Sequence, residues 1–347
     1  VSRVLVVDPA PCMTAPDAPG PDVAGWLSWW DLVVVQTSAG KDSQTAMRAA
    51  VLALNTAGLL HLAVAMHMDL GGRVEWPKVP ELAAEQATRN GLTLAIPRRE
   101  GVDLLDDVAT RRKRDGGVRG WPGAGLRYCT SDHKTAPSRR AIEAMCEHIR
   151  DTRSLGRPVR VLQVMGFRAG ESKRRAELAP FSFNARQSAS TKRHVFDWLP
   201  IQGLTTAQVW ADIRTSGVPY HPAYDEGMSR LSCRFCVLAS SRDLSIARRL
   251  SPEVADEYIA VEREIGHTFQ NGRALASVQP EPGREGFVVR WTACPACGVR
   301  VLARDWETDR HCPAHADTGP WDRHHDDPGD TPGCGQLPLF VSTWGAS

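Results

Sequence analysis

Four consecutive apolar residues, Leu32 to Val35, run into the polar string Gln36-Thr37-Ser38-Ala39-Gly40-Lys41-Asp42-Ser43. The apolar run predicts a buried strand, the glycine-bearing string a turn, and Gln44 to Leu54 a helix. The pattern then recurs: Leu62 to Met66 predicts a second strand, Pro80 to Asn90 a helix, and Leu92 to Ile96 a third strand. Strands alternating with helices imply an α/β fold, a parallel sheet with helices on both faces. A further strand, Val159 to Met165, leads into Gly166, and helices are expected over Thr206 to Ser216 and Pro252 to Gly266. Ligands of such sheets bind beyond the carboxyl ends of the strands, where Ser38 to Ser43 fall.

Between these elements the chain changes character. Residues 111 to 127, with Arg111-Arg112-Lys113-Arg114 and several glycines, predict a mobile, solvated surface loop. Residues 9 to 24 are rich in Pro, Ala, Gly and Asp and predict disorder. Composition shifts again at Gly283. The resulting division is a leader (1–24), an α/β domain (25–245), a helical extension (246–285), a small Cys/His-rich module (286–320) and a flexible tail (321–347). No internal repeat is visible. The first residue is valine and the first methionine is Met13, so residues 1 to 12 are expected to lie upstream of the natural start.

At 347 residues the chain can hold one large α/β domain and an appendage. A formal net charge of +2 demands no nucleic-acid partner. Only Lys41, Lys78, Lys113, Lys134, Lys173 and Lys192 are lysines, so arginine carries most of the positive charge. Arginine suits forked recognition of phosphate or sulfate, although genomic base composition explains the bias equally well. The most apolar stretch, Val51 to Met68, is broken by Asn55 and His61, so no membrane partner is expected. Nine cysteines, four of them in two Cys-x-x-Cys pairs and without a secretory signal, favour metal or redox chemistry in a reducing cytoplasm.

The turn at residues 38 to 43 carries the first candidate chemistry. A helix N-terminus and backbone N–H groups aimed at one point make an anion site suited to phosphate. Gly40 lets backbone approach the anion, Lys41 adds a point charge, and Ser38 and Ser43 offer hydroxyl donors. Asp42 is placed to cap the helix or to hold a metal such as Mg²⁺. The order is not that of a Walker A loop, which needs Gly-x-x-x-x-Gly-Lys-Ser/Thr.

Ser38-Ala39-Gly40-Lys41-Asp42-Ser43 resembles the PP-loop of the N-type ATP pyrophosphatases, which include the phosphoadenosine phosphosulfate (PAPS) reductases and several adenylating sulfur transferases. Four further blocks resemble those of the PAPS reductase family, in the same order. They are Arg127-Tyr128-Cys129 with Lys134 and Pro137; Gly166-Phe167-Arg168-Ala169-Gly170-Glu171-Ser172; Asp197-Trp198-Leu199-Pro200-Ile201 with Val209-Trp210; and His221-Pro222-x-Tyr224 with Gly227, then Cys233-Arg234-Phe235-Cys236. The resemblance implies a PP-loop, Rossmann-like fold of the adenine nucleotide α-hydrolase type. It places Ser38 to Ser43, Asp69, Gly166, Arg168 and Glu171 around ATP, PAPS or adenylylsulfate. Lys41, Asp42, Cys129, Lys134 and Arg168 are the expected catalytic residues. Arg168, after a strand and oriented by Glu171, is read as a guanidinium ready to fork onto sulfate or phosphate, with Lys134 as a second charge.

The remaining cysteines form two sets. The adenylylsulfate-reducing branch of the family holds a [4Fe-4S] cluster on a Cys-Cys pair and a later Cys-x-x-Cys; here Thr130 breaks the pair and leaves Cys129, Cys233 and Cys236. Three thiolates can hold a cubane with one iron open, and the alternatives are a partial zinc site or unligated thiols. Cys294-x-x-Cys297 and Cys312-x-x-His315, fourteen residues apart, have zinc-ribbon spacing with four ligands for Zn²⁺ and no open position. Gln336-Leu337-Pro338-Leu339-Phe340 resembles the peptide by which bacterial DNA-metabolism proteins dock onto the sliding clamp; a bland tail is the alternative.

A PAPS reductase proper carries its nucleophile within Glu-Cys-Gly-Leu-His. The tail holds only Cys334-Gly335, with different flanks. The expected function is therefore ATP-dependent sulfur transfer to DNA or tRNA, fed by a sulfur donor such as a cysteine desulfurase. The alternatives are PAPS reduction by a tail thiol and a non-catalytic nucleotide-binding adaptor.

Overall fold

The computed structural model describes residues 28–117 and 120–281, and the backbones of two short strands at 289–293 and 300–304. The expected leader, the zinc-ribbon ligands Cys294, Cys297, Cys312 and His315, Cys334 and the clamp-like peptide all lie outside the described residues.

The core is a six-stranded sheet: β1 (Leu32–Thr37), β2 (Ala63–His67), β3 (Thr93–Ala95), β4 (Val159–Val164), β5 (Phe181–Phe183) and β6 (Arg193–Trp198), in the order β3-β2-β1-β4-β6-β5. All neighbours are parallel except β5 against β6. The order reverses between β1 and β4, which makes the space beyond their carboxyl ends the switch point where α/β sheets bind ligands.

The apolar run folds as a strand because both of its faces are covered. Val33 and Val35 are fully buried against Ala46, Met47, Ala50 and Leu54 of α1 (Lys41–Thr56), while Leu32 and Val34 face Ile142 and Cys146 on the other side. Each buried valine contributes on the order of 1.5–3 kcal/mol. Asp31 pins β1 to β4: its carboxylate takes a fork from Arg157 at 2.6 and 2.9 Å and the Arg160 amide at 2.9 Å.

The longer remaining helices are α2 (Val79–Arg89), α3 (Leu104–Arg114), α4 (Ala136–Arg153), α5 (Thr206–Ser216), α6 (Ser241–Leu250) and α7 (Pro252–Ile265), with a single helical turn at Lys173–Ala176. A short helical turn and a π-turn over Tyr128–Thr130 and Ser131–Thr135 lead into α4. The expected loop at 111–127 is corrected at its start. Arg111 to Arg114 form the last turn of α3, where positive charge suits the helix C-terminus. Arg111 is buried there, bonded to Asp107 at 2.7 Å and Asp132 at 2.6 Å. The strands β7 (Val289–Ala293) and β8 (Arg300–Arg304) pair antiparallel. No helix among the described residues is long and apolar enough to cross a membrane.

Candidate functional site

The loop after β1 is laced by its own hydroxyls. Ser43 Oγ accepts from the Ser38 amide at 3.2 Å and donates to the Gly40 carbonyl at 2.9 Å. Thr37 Oγ1 accepts from the Ala39 amide at 3.1 Å. Gly40 is the N-cap of α1 and makes no side-chain cap bond; the Lys41 amide is taken by Tyr224 Oη, which leaves the next first-turn amides as donors for an anion. The strained residue is Ala39, at φ 56°, not Gly40, at φ −80°. What Gly40 offers is space: a Cβ there would lie 3.3 Å from both Ser38 Oγ and Tyr224 Oη, a tight fit that would press on both hydroxyls.

Lys41 is buried, with its ammonium 3.0 Å from the Ser229 carbonyl and 3.3 Å from Asp42. Two of its three N–H groups have these partners, so one remains for a ligand. Asp42 does not cap the helix. It holds Lys41 on one oxygen and Arg168 Nε, at 2.6 Å, on the other.

Arg168 departs from expectation. Its guanidinium is buried and spent on Asp42, on the Leu204 carbonyl at 3.1 Å and on Thr206 Oγ1 at 3.1 Å. Glu171 accepts from the Arg168 backbone amide at 2.9 Å and pairs with Arg175, so it does not orient the fork. Arg168 thus anchors the helix that carries the loop. Gly166 serves the same junction: a Cβ would lie 2.6 Å from the Asp42 carbonyl oxygen. Asp69, just beyond the end of β2, accepts from the Gly71 amide at 2.7 Å and lies 3.4 Å from Arg98.

Cys129 and Lys134 lie on the turns before α4, in a segment stiffened by a charged cluster. Asp107 accepts from Arg99 and Arg111, each at 2.7 Å, and His133 Nε2 lies 2.9 Å from the same carboxylate and 2.6 Å from Arg99 Nη1. Burial pushes the Asp107 carboxyl up, but the bonds from His133, Arg99 and Arg111 outweigh it and hold it below the usual carboxylate range. Burial lowers His133 despite its bond to Asp107.

Cys233 lies within electrostatic reach of Lys134, Cys236 and Cys129. Burial pushes its thiol up to about 12, the Lys134 charge opposes that, and the other two cysteines and Glu75 add to it. The structure therefore gathers the predicted thiols and Lys134 into one neighbourhood. It does not close them into a metal centre: among the described residues no group of three or more His, Cys, Asp or Glu side chains is arranged to hold a metal. Cys236 Sγ instead accepts from the Leu238 amide at 3.4 Å, and Cys129 Sγ lies 3.9 Å from Thr130 Oγ1. The three-thiol cluster does not fit this arrangement.

Several residues join the loop to the thiols without having been singled out as site residues. His67, paired with Thr37 in the sheet, lies 3.2 Å from the Thr37 carbonyl and 3.2 Å from Glu75. Arg234, inside the Cys-x-x-Cys, gives its backbone amide to Val74 at 2.7 Å and its guanidinium to the Gly72 and Glu75 carbonyls at 2.9 and 2.7 Å. Tyr224 Oη accepts from the Lys41 amide at 3.0 Å. The His-Pro-x-Tyr block was the available signal for Tyr224; Ser229 and His67 carry none in the sequence.

A family model described as the phosphoadenosine phosphosulfate reductase domain matches residues 32–239. No curated protein matches the chain. Among solved structures, a PAPS reductase from Candida auris in a phosphate complex is similar at 18% identity and TM-score 0.38, over 61% of this chain and 88% of that one. An NAD⁺ synthetase from Burkholderia pseudomallei is similar at 19% and TM-score 0.35, over 70% and 86%. An FMN adenylyltransferase from Candida glabrata is similar at 13% and TM-score 0.37, over 60% of this chain and only 56% of that one, just over half its length.

Proposed function

Because the chain belongs to the phosphoadenosine phosphosulfate reductase family, we propose that it binds an adenine nucleotide at residues 38 to 43 and uses it for sulfur transfer. The observation that carries this reading is the placement of the loop. Ser38, Lys41 and the first turn of α1 converge at the switch between β1 and β4, where a phosphate would meet first-turn amides beyond that of Lys41, the Ser38 hydroxyl and one unspent ammonium N–H, while Ser43 spends its hydroxyl bracing the loop.

In the favoured reaction the nucleotide is ATP. An acceptor oxygen on DNA or tRNA attacks the α-phosphorus, the α–β bond breaks, and pyrophosphate leaves with its charge held by the loop. The terminal sulfur of a persulfide, from a donor such as a cysteine desulfurase, then displaces AMP, and a second thiol cleaves the S–S bond, leaving the sulfur on the acceptor and a disulfide behind. The different surroundings of Cys334 support this reaction over reduction. The second reading takes PAPS in the same loop. A thiolate attacks the sulfate sulfur, adenosine 3′,5′-bisphosphate leaves, and a second thiol releases sulfite; Cys334 supplies the tail thiol that this reading needs. A zinc ribbon on Cys294, Cys297, Cys312 and His315 and a clamp-docking peptide at Gln336 to Phe340 would serve to recruit the nucleic acid.

Calorimetry with ATP, PAPS and adenylylsulfate tests the loop: Lys41→Ala and Gly40→Val should each abolish binding while leaving the far-ultraviolet circular dichroism intact. Unchanged affinity in both removes the assignment. Release of AMP and pyrophosphate with a nucleic-acid acceptor, beside sulfite release from PAPS, separates the two reactions. Sulfite production lost in Cys334→Ala would establish the reductase instead.

A further inference from the structure

Tyr224 reaches the phosphate loop from a distant part of the chain, polar end first. Its buried ring meets Trp210 edge-on at 5.0 Å, and the Lys41 ammonium lies 5.6 Å from its centroid. The hydroxyl oxygen accepts from the Lys41 amide at 3.0 Å and from the Leu231 amide at 3.1 Å. In both bonds it is the acceptor, so its own hydrogen remains to donate. Burial and the nearby Asp42 charge raise the phenol's pKa and keep it protonated. Ser38 Oγ and Tyr224 Oη each lie 3.3 Å from the point a Gly40 Cβ would occupy, so two hydroxyls flank the one loop residue that has no side chain.

The same hydroxyl is a joint. Lys41 opens the helix that carries the loop, while Leu231 belongs to the segment that continues into Cys233 and Cys236. That segment is held on its other side by Asp243, which takes the Ser229 amide at 2.8 Å and its hydroxyl at 2.7 Å. It touches the loop again where the Ser229 carbonyl meets the Lys41 ammonium.

We infer that Tyr224 is a ligand-contacting residue of the loop, donating its hydroxyl hydrogen to a nucleotide phosphoryl oxygen beside Ser38, and that through Leu231 it passes loop occupancy to residues 228–236. This rests on the nucleotide-binding reading above. A phosphoryl oxygen drawing on the Tyr224 hydrogen strengthens its hold on both amides, because hydrogen bonds in a chain polarise one another. A filled loop therefore has a more firmly held cysteine segment than an empty one.

The test uses the full chain and Tyr224→Phe, which keeps the ring and removes the hydroxyl. Titration calorimetry with ATP, PAPS, inorganic pyrophosphate and adenosine is paired with hydrogen exchange of peptides spanning 38–47 and 224–236. The variant should bind ATP and pyrophosphate about tenfold or more weakly, as expected for a lost hydrogen bond to a charged group. Its affinity for adenosine should not change. At saturating ATP it should keep protection of 38–47 and lose the ATP-dependent protection of 228–236. Wild-type affinity for ATP and pyrophosphate in the variant overturns Tyr224 alone. Wild-type protein that binds neither ATP nor PAPS overturns the nucleotide reading and this inference with it. Should the variant not fold, exchange of the wild type decides: no ATP effect on 228–236 overturns the coupling.

Discussion

Arg168 Nε sits 2.6 Å from an Asp42 carboxylate oxygen, so the two charges that flank the switch point hold each other. The pair ties the end of β4 to the first turn of α1 across 126 residues of sequence, and both partners are largely shielded from water. The junction between the two strands is thereby stiffened where a ligand must be met by fixed donors.

Breaking this pair should cost stability more than it changes ligand contacts. Asp42→Asn leaves a buried guanidinium without its counter-charge, a loss on the order of 3–5 kcal/mol. Arg168→Lys cannot keep the fork to Leu204 and Thr206, and should also destabilise the fold. Urea unfolding of both variants checks this. Wild-type midpoints would mean that the pair behaves like an exposed one.

Gly166→Ala places a Cβ 2.6 Å from the Asp42 carbonyl oxygen, against backbone that cannot swing aside. The start of α1 must shift away from β4, at about 1–3 kcal/mol for overpacking. Nucleotide affinity should fall with stability. A variant that is destabilised yet binds normally would show that the α1 N-terminus is not the anion site.

His221 gives a pH dependence with a definite sign. The Ala223 amide donates to Nδ1 at 3.1 Å and Nε2 lies 3.2 Å from the Pro77 carbonyl, so the ring is held neutral with its hydrogen on Nε2. Burial pulls its pKa down to about 4, helped by the Arg234 charge and opposed by the Pro77 bond. Between pH 6.5 and about 4 the unfolded chain takes up a proton that the folded one refuses. The His221 contribution should be complete above pH 6.5, fall as pH drops through that window by on the order of 3 kcal/mol, and change no further below it. His221→Asn keeps an acceptor for the Ala223 amide and should flatten that part of the curve. Thermal melts from pH 7.5 to 4 of both proteins measure it; identical slopes would clear His221 of the effect.

Asp107 is the hub of the cluster beneath Cys129 and Lys134. Replacing it by Asn leaves Arg111 and Arg99 with a neutral partner, at on the order of 3–5 kcal/mol. The loss should be concentrated in the exchange protection of residues 128–135. Uniform loosening of the whole chain would contradict a local bracing role.

The sequence was most legible where independent short-range signals agree. The helix at Thr206 to Ser216 has both of its ends marked, by the reciprocal Thr205–Gln208 cap and by Gly217 at positive φ. β1, its loop and α1 were marked by an abrupt change of pattern, although the helix begins three residues earlier than Gln44. Charge misled at α3, because a run of arginines reads as solvated unless its partners Asp107 and Asp132 are known. The role of Arg168 was hidden for the same reason. A guanidinium facing a substrate and one facing Asp42 look alike in sequence, and it is the parallel pairing of β1 with β4 that tells them apart.

The bonds from Lys41 to Tyr224 and Ser229 span 183 and 188 residues, and this has a bearing on synthesis. A ribosome adding roughly 5–20 residues per second delivers the phosphate loop some ten to forty seconds before the residues that cover it. During that interval the β1 turn and the amides of its helix have none of these later partners. The pocket is therefore among the last parts of the domain to be completed, and a nascent chain stalled before residue 224 carries the loop motif without the site.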